Sequence, residues 1–322
     1  MPKFSIIVPV YNSEATLERC LLSLQNQSYT DFQVLMIENG SCDASLSIGA
    51  SFSQGDPRFH LISLERNCGP SGARNTGLEH AAGEIIAFVD SDDFVETTYL
   101  QDLELAFATQ NADVVFMGYY DTDKNGSVKS RHIPDVSETE SFFKILTALS
   151  AQDLFGYTWV KAFRSSALGG ERFPEDMNLF EDEVLACKVL PKCRRIGILA
   201  KPVYYYVTGS ASSLVGRTHS DYCQKCNAVY AAWCNLLAPW EGKDAFLTAM
   251  ANRFTERCRF YGFERPVPLK EYFTALSETA FFKEHTAITD FDKAVSMHRF
   301  GSIQMKKSVY QAQNLISHML GR

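Results

Sequence analysis

The feature that most restricts the fold of this chain is a rhythm in its first 120 residues, where short apolar, β-rich runs alternate with stretches of helical spacing. Runs at residues 4–10, 32–37, 60–64, 84–89 and 114–117 are rich in Val, Ile, Leu and Phe, which predicts strands of a parallel sheet covered on both faces. Between the first two, Ala15, Leu17, Cys20, Leu21 and Leu24 recur at helical spacing, with Ser13 placed to cap the helix and Asn26-Gln27-Ser28 to end it. Repetition of this β-α-β unit predicts an α/β fold, a mostly parallel sheet flanked by helices.

The rhythm loosens after the polar turn at Asp121-Thr122-Asp123-Lys124-Asn125-Gly126, beyond which residues 140–149 read as a helix. From about Ser220 helical patterns take over, at 222–237, 244–260, 269–282 and 302–320. The expected division is a domain over residues 1–219, with halves at about 1–120 and 121–219, followed by a helical region over 220–322. The length of 322 residues suffices for that.

Charge and cysteine usage exclude several function classes. A net charge of −7 argues against nucleic acid as a partner, because gripping a phosphate backbone needs a basic surface. Nine cysteines scattered among apolar positions read as reduced thiols, and no apolar run reaches the roughly 18 residues of a membrane span. The N-terminus enters a core strand at once and lacks a signal-peptide layout, so a cytoplasmic protein is expected.

The turn after the first strand, Pro9-Val10-Tyr11-Asn12-Ser13-Glu14, contains no glycine. A dinucleotide fold needs glycine there so that backbone can approach a pyrophosphate, and the NAD(P) reading fails on that ground. Tyr11 instead sits where ligands bind such sheets; its ring either stacks on a base or covers the sheet edge.

The fourth run ends in Asp90-Ser91-Asp92-Asp93. Three crowded carboxylates repel one another unless something positive compensates, and Mn²⁺ or Mg²⁺ bound with phosphate is the natural candidate. The competing explanation is that Asp92 or Asp93 caps a helix over residues 96–108, although a cap needs only one carboxylate.

Four segments in order, Ser5-Ile6-Ile7-Val8-Pro9-Val10-Tyr11-Asn12, Ile37-Glu38-Asn39-Gly40-Ser41-Cys42-Asp43, Gly72-Ala73-Arg74-Asn75-Thr76-Gly77-Leu78 and Phe88-Val89-Asp90-Ser91-Asp92-Asp93, closely resemble family 2 glycosyltransferases of the GT-A fold. Weaker likeness continues through Trp159-Val160-Lys161-Ala162-Phe163-Arg164, Glu181-Asp182-Glu183 and Val203-Tyr204-Tyr205-Tyr206. The resemblance implies a Rossmann-like GT-A sheet and an inverting, metal-dependent transferase of hexosyl type, acting from a nucleotide-sugar, best a UDP-sugar. The acceptor it implies is a saccharide or lipid-linked saccharide, in cell-surface polysaccharide or glycolipid synthesis.

Residue by residue, it implies that Pro9, Tyr11 and Glu38 border the nucleobase, that Arg74 and Asn75 line the nucleotide pocket, that Asp90 lies by the ribose, and that Ser91 belongs to the nucleotide-binding set. Asp90 and Asp92 would hold the metal, with Asp92 the main ligand. The sequence departs from the family at Glu38-Asn39, where Asp-Asp is usual. Arg74 also allows a plainer reading, as the partner of a surface acid.

Inverting transfer needs a base for the acceptor hydroxyl. Glu181, Asp182 and Glu183 open a predicted helix, where mutual repulsion and burial raise carboxylate pKa values, or where the acids merely favour the helix dipole. The resemblance selects Asp182. Trp159 either offers a flat face to a sugar or packs in the core. His219 is the histidine nearest the Tyr-rich strand but matches no family position. Cys223 and Cys226 have ligand-like spacing without a second pair, so packing is expected and zinc is not. The apolar stripe over residues 302–320, beside Lys306 and Lys307, either packs on the protein or makes a peripheral contact with the inner face of a membrane. Two rival functions remain at this level: a catalytically inactive binding subunit, for which Glu38-Asn39 leaves room, and a nucleotidyltransferase, which Tyr11-Asn12-Ser13 disfavours.

Overall fold

The computed structural model describes residues 1–284, apart from 153, 178, 209–218, 220 and 265–267, together with Val295 and Lys307. The chain divides into two compact units, Met1–Leu214 and Val215–Arg322, a boundary a few residues before the one expected between 219 and 220.

In the first unit the elements run β1 (Phe4–Val10), α1 (Leu17–Gln25), β2 (Phe32–Glu38), α2 (Ser45–Gly55), β3 (Phe59–Ser63), α3 (Gly69–His80), β4 (Ile85–Phe88) and β5 (Phe94–Val95). They continue through α4 (Tyr99–Gln110), β6 (Val114–Thr122), β7 (Val128–His132), α5 (Phe142–Ala151), β8 (Lys161–Arg164), α6 (Ser165–Leu168), α7 (Glu181–Val189) and β9 (Ile196–Val207). The strands form one sheet in the order β3-β2-β1-β4-β8-β6-β9-β5, with β7 on β6. Pairing is parallel across β3-β2-β1-β4, the half read from the β-α-β rhythm. Beyond β4 the sheet is mixed, because β8 runs antiparallel to both β4 and β6 while β9 runs parallel to β6.

Burial explains the strands. Phe4, Ile6, Ile7 and Val8 of β1 are 0% exposed, and each such side chain contributes roughly 1.5–3 kcal/mol by leaving water. Helix α3 packs so closely on this strand that a Cβ added at Gly77 would lie 2.4 Å from Ile7 Cγ2. Two capping expectations fail. Helix α1 begins at Leu17, and the Ser13 hydroxyl is engaged with Ser91 Oγ at 2.7 Å rather than with the helix end. Helix α4 begins at Tyr99 instead of residue 96, because Phe94 and Val95 pair with Tyr205 and Tyr204 as β5, so neither Asp92 nor Asp93 caps it.

The second unit contains α8 (Tyr222–Leu237), α9 (Asp244–Glu264), α10 (Leu269–Glu278) and α11 (Ala280–Glu284). Its core includes Trp233, Phe246, Met250, Phe254 and Phe281. A single helix was expected over 269–282; it breaks at Thr279, whose hydroxyl accepts the Phe282 N–H at 3.3 Å and so starts α11 as an N-cap. Cys223 and Cys226 are fully buried, as is Cys258 on α9. The predicted helix at 302–320 lies outside the described residues except for Lys307. Among the described residues no helix is long and apolar enough to cross a membrane.

Candidate active site

The carboxyl ends of β1, β2 and β4 lie side by side, and the turns leaving them are laced together. Asn12 adopts a left-handed conformation (φ 48°), one that Asn tolerates better than most residues. Its Oδ1 accepts the Cys42 N–H at 2.9 Å, and its own N–H donates to Ser41 Oγ at 3.0 Å. The next residues repeat the exchange, with the Ser13 N–H on Ser45 Oγ and the Glu14 N–H on Asp43 Oδ2. This brace leaves Tyr11 standing free at 42% exposure, beside the half-buried Pro9.

Glu38 is only 3% exposed, with Oε1 accepting the Ser41 N–H at 2.5 Å and Oε2 accepting the Ser63 hydroxyl at 3.1 Å. It therefore acts as a floor under the β2 turn. Asn39, the departure noted in the sequence, has a clear use. Its amide donates to Asn67 Oδ1 and to the Gly69 carbonyl, and its Oδ1 accepts the Cys68 N–H. An aspartate would lack both donors, so the amide fixes the loop that leads into α3.

Helix α3 carries Arg74 into the centre of the site. Its guanidinium, with the side chain 8% exposed, donates to Asp90 Oδ1 at 3.1 Å and to Glu181 Oε1 at 3.0 Å, and lies 3.5 Å from Asp182 Oδ1. Burial works against its charge, but Asp182, Asp90 and Glu181 together hold it firmly protonated. The surface ion pair considered for Arg74 is thus replaced by a buried node joining the end of β4 to the start of α7. Asn75, the next residue, is committed to the segment that precedes α7: it exchanges hydrogen bonds with the Phe173 backbone and donates to Glu175 Oε1.

The acids of the β4 turn divide their work. Asp93 is 1% exposed, accepting the Tyr204 hydroxyl at 2.7 Å and the Val207 N–H at 2.8 Å, so it anchors β9. Burial, then Asp92 and Asp90, push its carboxyl well above the usual range. The Tyr204 hydroxyl also accepts the Asp90 N–H at 3.1 Å, which fixes the turn from below. Asp90 keeps its side chain 26% exposed, with Oδ1 on Arg74. Burial and Asp182 raise its pKa, against the pull of Arg74. Asp92 is half-buried and its carbonyl accepts from Arg19 at 2.9 Å; Ser91 is held by Ser13.

Across Arg74, α7 opens at Phe180, another left-handed residue (φ 66°), which turns Glu181 and Asp182 toward the guanidinium. Asp182 Oδ2 accepts the Thr158 N–H at 2.9 Å. Burial and Asp182 raise the Glu181 pKa, with Arg74 opposing them. Trp159 is 3% exposed and stacked on Tyr204 at 4.7 Å, so of its two readings the core one holds. His219 falls in the second unit, where its N–H donates to the Tyr261 hydroxyl. From sequence, Ser13 had only a capping role and Thr158 and Tyr204 had no site role; the Tyr204-Tyr205-Tyr206 run was the available signal for the last.

The donor set suits a hard divalent cation in part. Asp90 Oδ2 has no protein partner among the described residues, and Asp92 adds carboxylate oxygens on the same turn. Among the described residues no three His, Cys, Asp or Glu side chains converge as ligands. Two carboxylates are nonetheless the usual protein share for Mg²⁺, whose other ligands come from phosphates and water.

The profile described as Glycosyl transferase family 2 matches residues 5–169. The putative glycosyltransferase EpsH of Bacillus subtilis is 30% identical over 234 residues, covering 71% of this chain and 67% of EpsH. The poly(ribitol-phosphate) beta-N-acetylglucosaminyltransferase TarS of Staphylococcus aureus is 29% identical over 279 residues, 84% of this chain, which spans about half (47%) of that relative. Among solved structures, residues 1–349 of TarS in complex with UDP-GlcNAc superpose with a TM-score of 0.74 at 24% identity, covering 99% of this chain and 92% of that one. A mannosyltransferase, PcManGT from Pyrobaculum calidifontis in complex with GDP-Man and Mn²⁺, superposes at 0.55 and 17% identity, covering 100% of this chain and 88% of that one. At these identities the superpositions show the shared fold.

Proposed function

The chain belongs to glycosyl transferase family 2, and from that premise we propose that it moves a sugar, with inversion, from a UDP-linked donor to a hydroxyl acceptor in the assembly of a cell-surface polysaccharide or glycolipid. The observation that carries this reading is the Arg74 node, in which one buried guanidinium spans Asp90 of the β4 turn and Asp182 of α7. A transferase needs the leaving diphosphate and the base for the incoming hydroxyl on opposite sides of one sugar, and a shared rigid node keeps that spacing.

In this reading Tyr11 stacks on the uracil, Pro9 borders it, and Glu38 supports the floor beneath. Ser91 and Asp90 face the ribose. Asn75 contributes by holding the 173–175 segment against α3. Asp90 and Asp92 would hold Mn²⁺ or Mg²⁺, which when bound would neutralise charge on the departing diphosphate. Asp182 accepts the acceptor proton at a carboxylate oxygen, while the Thr158 N–H fixes its rotamer. The EpsH likeness supports glycosyl transfer, and TarS, a poly(ribitol-phosphate) beta-N-acetylglucosaminyltransferase solved with UDP-GlcNAc, supports the donor class and a cell-surface polymer as the setting.

Titration of UDP with and without Mn²⁺ tests the donor half. Metal-dependent UDP binding that Asp92→Ala weakens at least tenfold is expected, and metal-independent binding in both proteins would refute the assignment. Asp182→Asn is expected to abolish transfer from UDP-GlcNAc or another UDP-sugar while sparing UDP affinity; surviving transfer would move the base elsewhere.

A further inference from the structure

The residues between the two carboxylate sites are aromatic. Trp159 stacks with Tyr157 at 5.0 Å and 16°, and with Tyr206 at 5.1 Å and 14°. The Tyr157 and Tyr206 centroids are themselves 6.4 Å apart with their planes inclined by 26°, so the two phenols adjoin one another beside Trp159. Trp159 is buried, whereas both tyrosines are half-buried.

The position of this wall is fixed at both ends. Tyr157 immediately precedes Thr158, whose N–H is on Asp182. At the other end, Tyr206 immediately precedes Val207, whose N–H is on Asp93 Oδ1 of the β4 turn at 2.8 Å. The wall is also stiff. Lys161, 1% exposed on β8, donates from Nζ to the Phe155 carbonyl at 2.6 Å and to the Tyr157 carbonyl, and its ammonium lies 5.3 Å from the Phe116 ring. A buried charge held by two carbonyls locks the turn that carries Tyr157.

We propose that Tyr157 and Tyr206 form the acceptor subsite, a platform on which a cyclic sugar lays its C–H face so that one hydroxyl reaches Asp182. The proposal rests on the glycosyl-transfer reading and adds to it the class of acceptor: a pyranose ring rather than an acyclic polyol phosphate. A pyranose presents axial C–H bonds on one face and hydroxyls at its rim, which matches two flat rings edged by phenol hydroxyls and carboxylates. An open polyol phosphate has no such face.

Saturation-transfer NMR on the full chain loaded with UDP and Mn²⁺ tests this. The probes are methyl β-D-glucopyranoside, methyl N-acetyl-β-D-glucosaminide and methyl β-D-galactopyranoside, with ribitol 5-phosphate as the acyclic comparison. At least one glycoside is expected to receive saturation mainly on the axial protons of one ring face. Tyr206→Leu and Tyr157→Leu, which retain apolar bulk, should each weaken that glycoside about tenfold, and Tyr206→Phe should retain most of its binding. The proposal is overturned if ribitol 5-phosphate binds and the glycosides do not, or if both Leu variants bind the glycoside as wild type does. Failure of wild type to bind UDP would instead overturn the donor reading beneath it.

Discussion

Arg74 shows how much of this site rests on one side chain. A guanidinium presents donors in a planar fork, and here the fork reaches Asp90 on one side and Glu181 with Asp182 on the other. Lysine carries the same charge on a single nitrogen and cannot span both. Arg74→Lys is therefore expected to cost about 1–3 kcal/mol of stability, by leaving one of the buried acceptors unpaired, and to slow transfer by roughly a hundredfold as Asp90 and Asp182 lose their common reference. Arg74→Met removes the charge among three carboxylates and should cost about 3–5 kcal/mol. Urea denaturation reads the stability terms, and wild-type stability and rate in Arg74→Lys would show the node to be dispensable. The sequence made Arg74 conspicuous but left its partner open, because Glu181 lies 107 positions away and only the fold brings it near.

At the scale of elements, legibility followed burial. The apolar runs of β1, β2 and β4 were readable because a strand covered on both faces needs apolar residues at most positions, with Ser5 and Gln33 the interior exceptions. Strand β7, Val-Lys-Ser-Arg-His, was not, since four of its five residues are exposed and it exists by pairing with β6. Strand β5 has two residues and no period at all. Asn39 looked like a lost charge in sequence, and its value appears only when the loop 67–69 arrives beside it. Gly77 is the converse case, a residue whose meaning is contact between elements: helix α3 can approach β1 only where a side chain is missing. Gly77→Ala is expected to cost about 1–3 kcal/mol by overpacking and to lower transfer, because α3 must shift and Arg74 shifts with it. Gly55→Ala on α2, where an added Cβ meets nothing within 4 Å, should leave stability within about 1 kcal/mol of wild type. Equal effects from the two variants, measured by thermal unfolding and by transfer rate, would refute the close-approach argument.

At the scale of the whole molecule, the residues assigned to donor and base, from Pro9 to Asp182, all belong to the first unit, and the helices α8 to α11 have a core of their own. A ligand stabilises what it binds, by about 2.7 kcal/mol at a hundred times its dissociation constant, and local protection from hydrogen exchange follows the same free energy. UDP with Mn²⁺ is therefore expected to slow amide exchange in peptides from the β1 and β2 turns, α3 and the β4 turn, and to leave peptides from α8 and α9 unchanged. The β1 turn should respond most among loops, since Tyr11 is exposed and gains a stacking partner. Protection of α8 or α9 equal to that of α3 would mean that the helical unit contributes to donor binding, and the donor site drawn from the first unit alone would then be incomplete. Protection of α7 that appears only when a glycoside joins UDP would assign the Asp182 side to the acceptor, as the Tyr157 and Tyr206 wall requires.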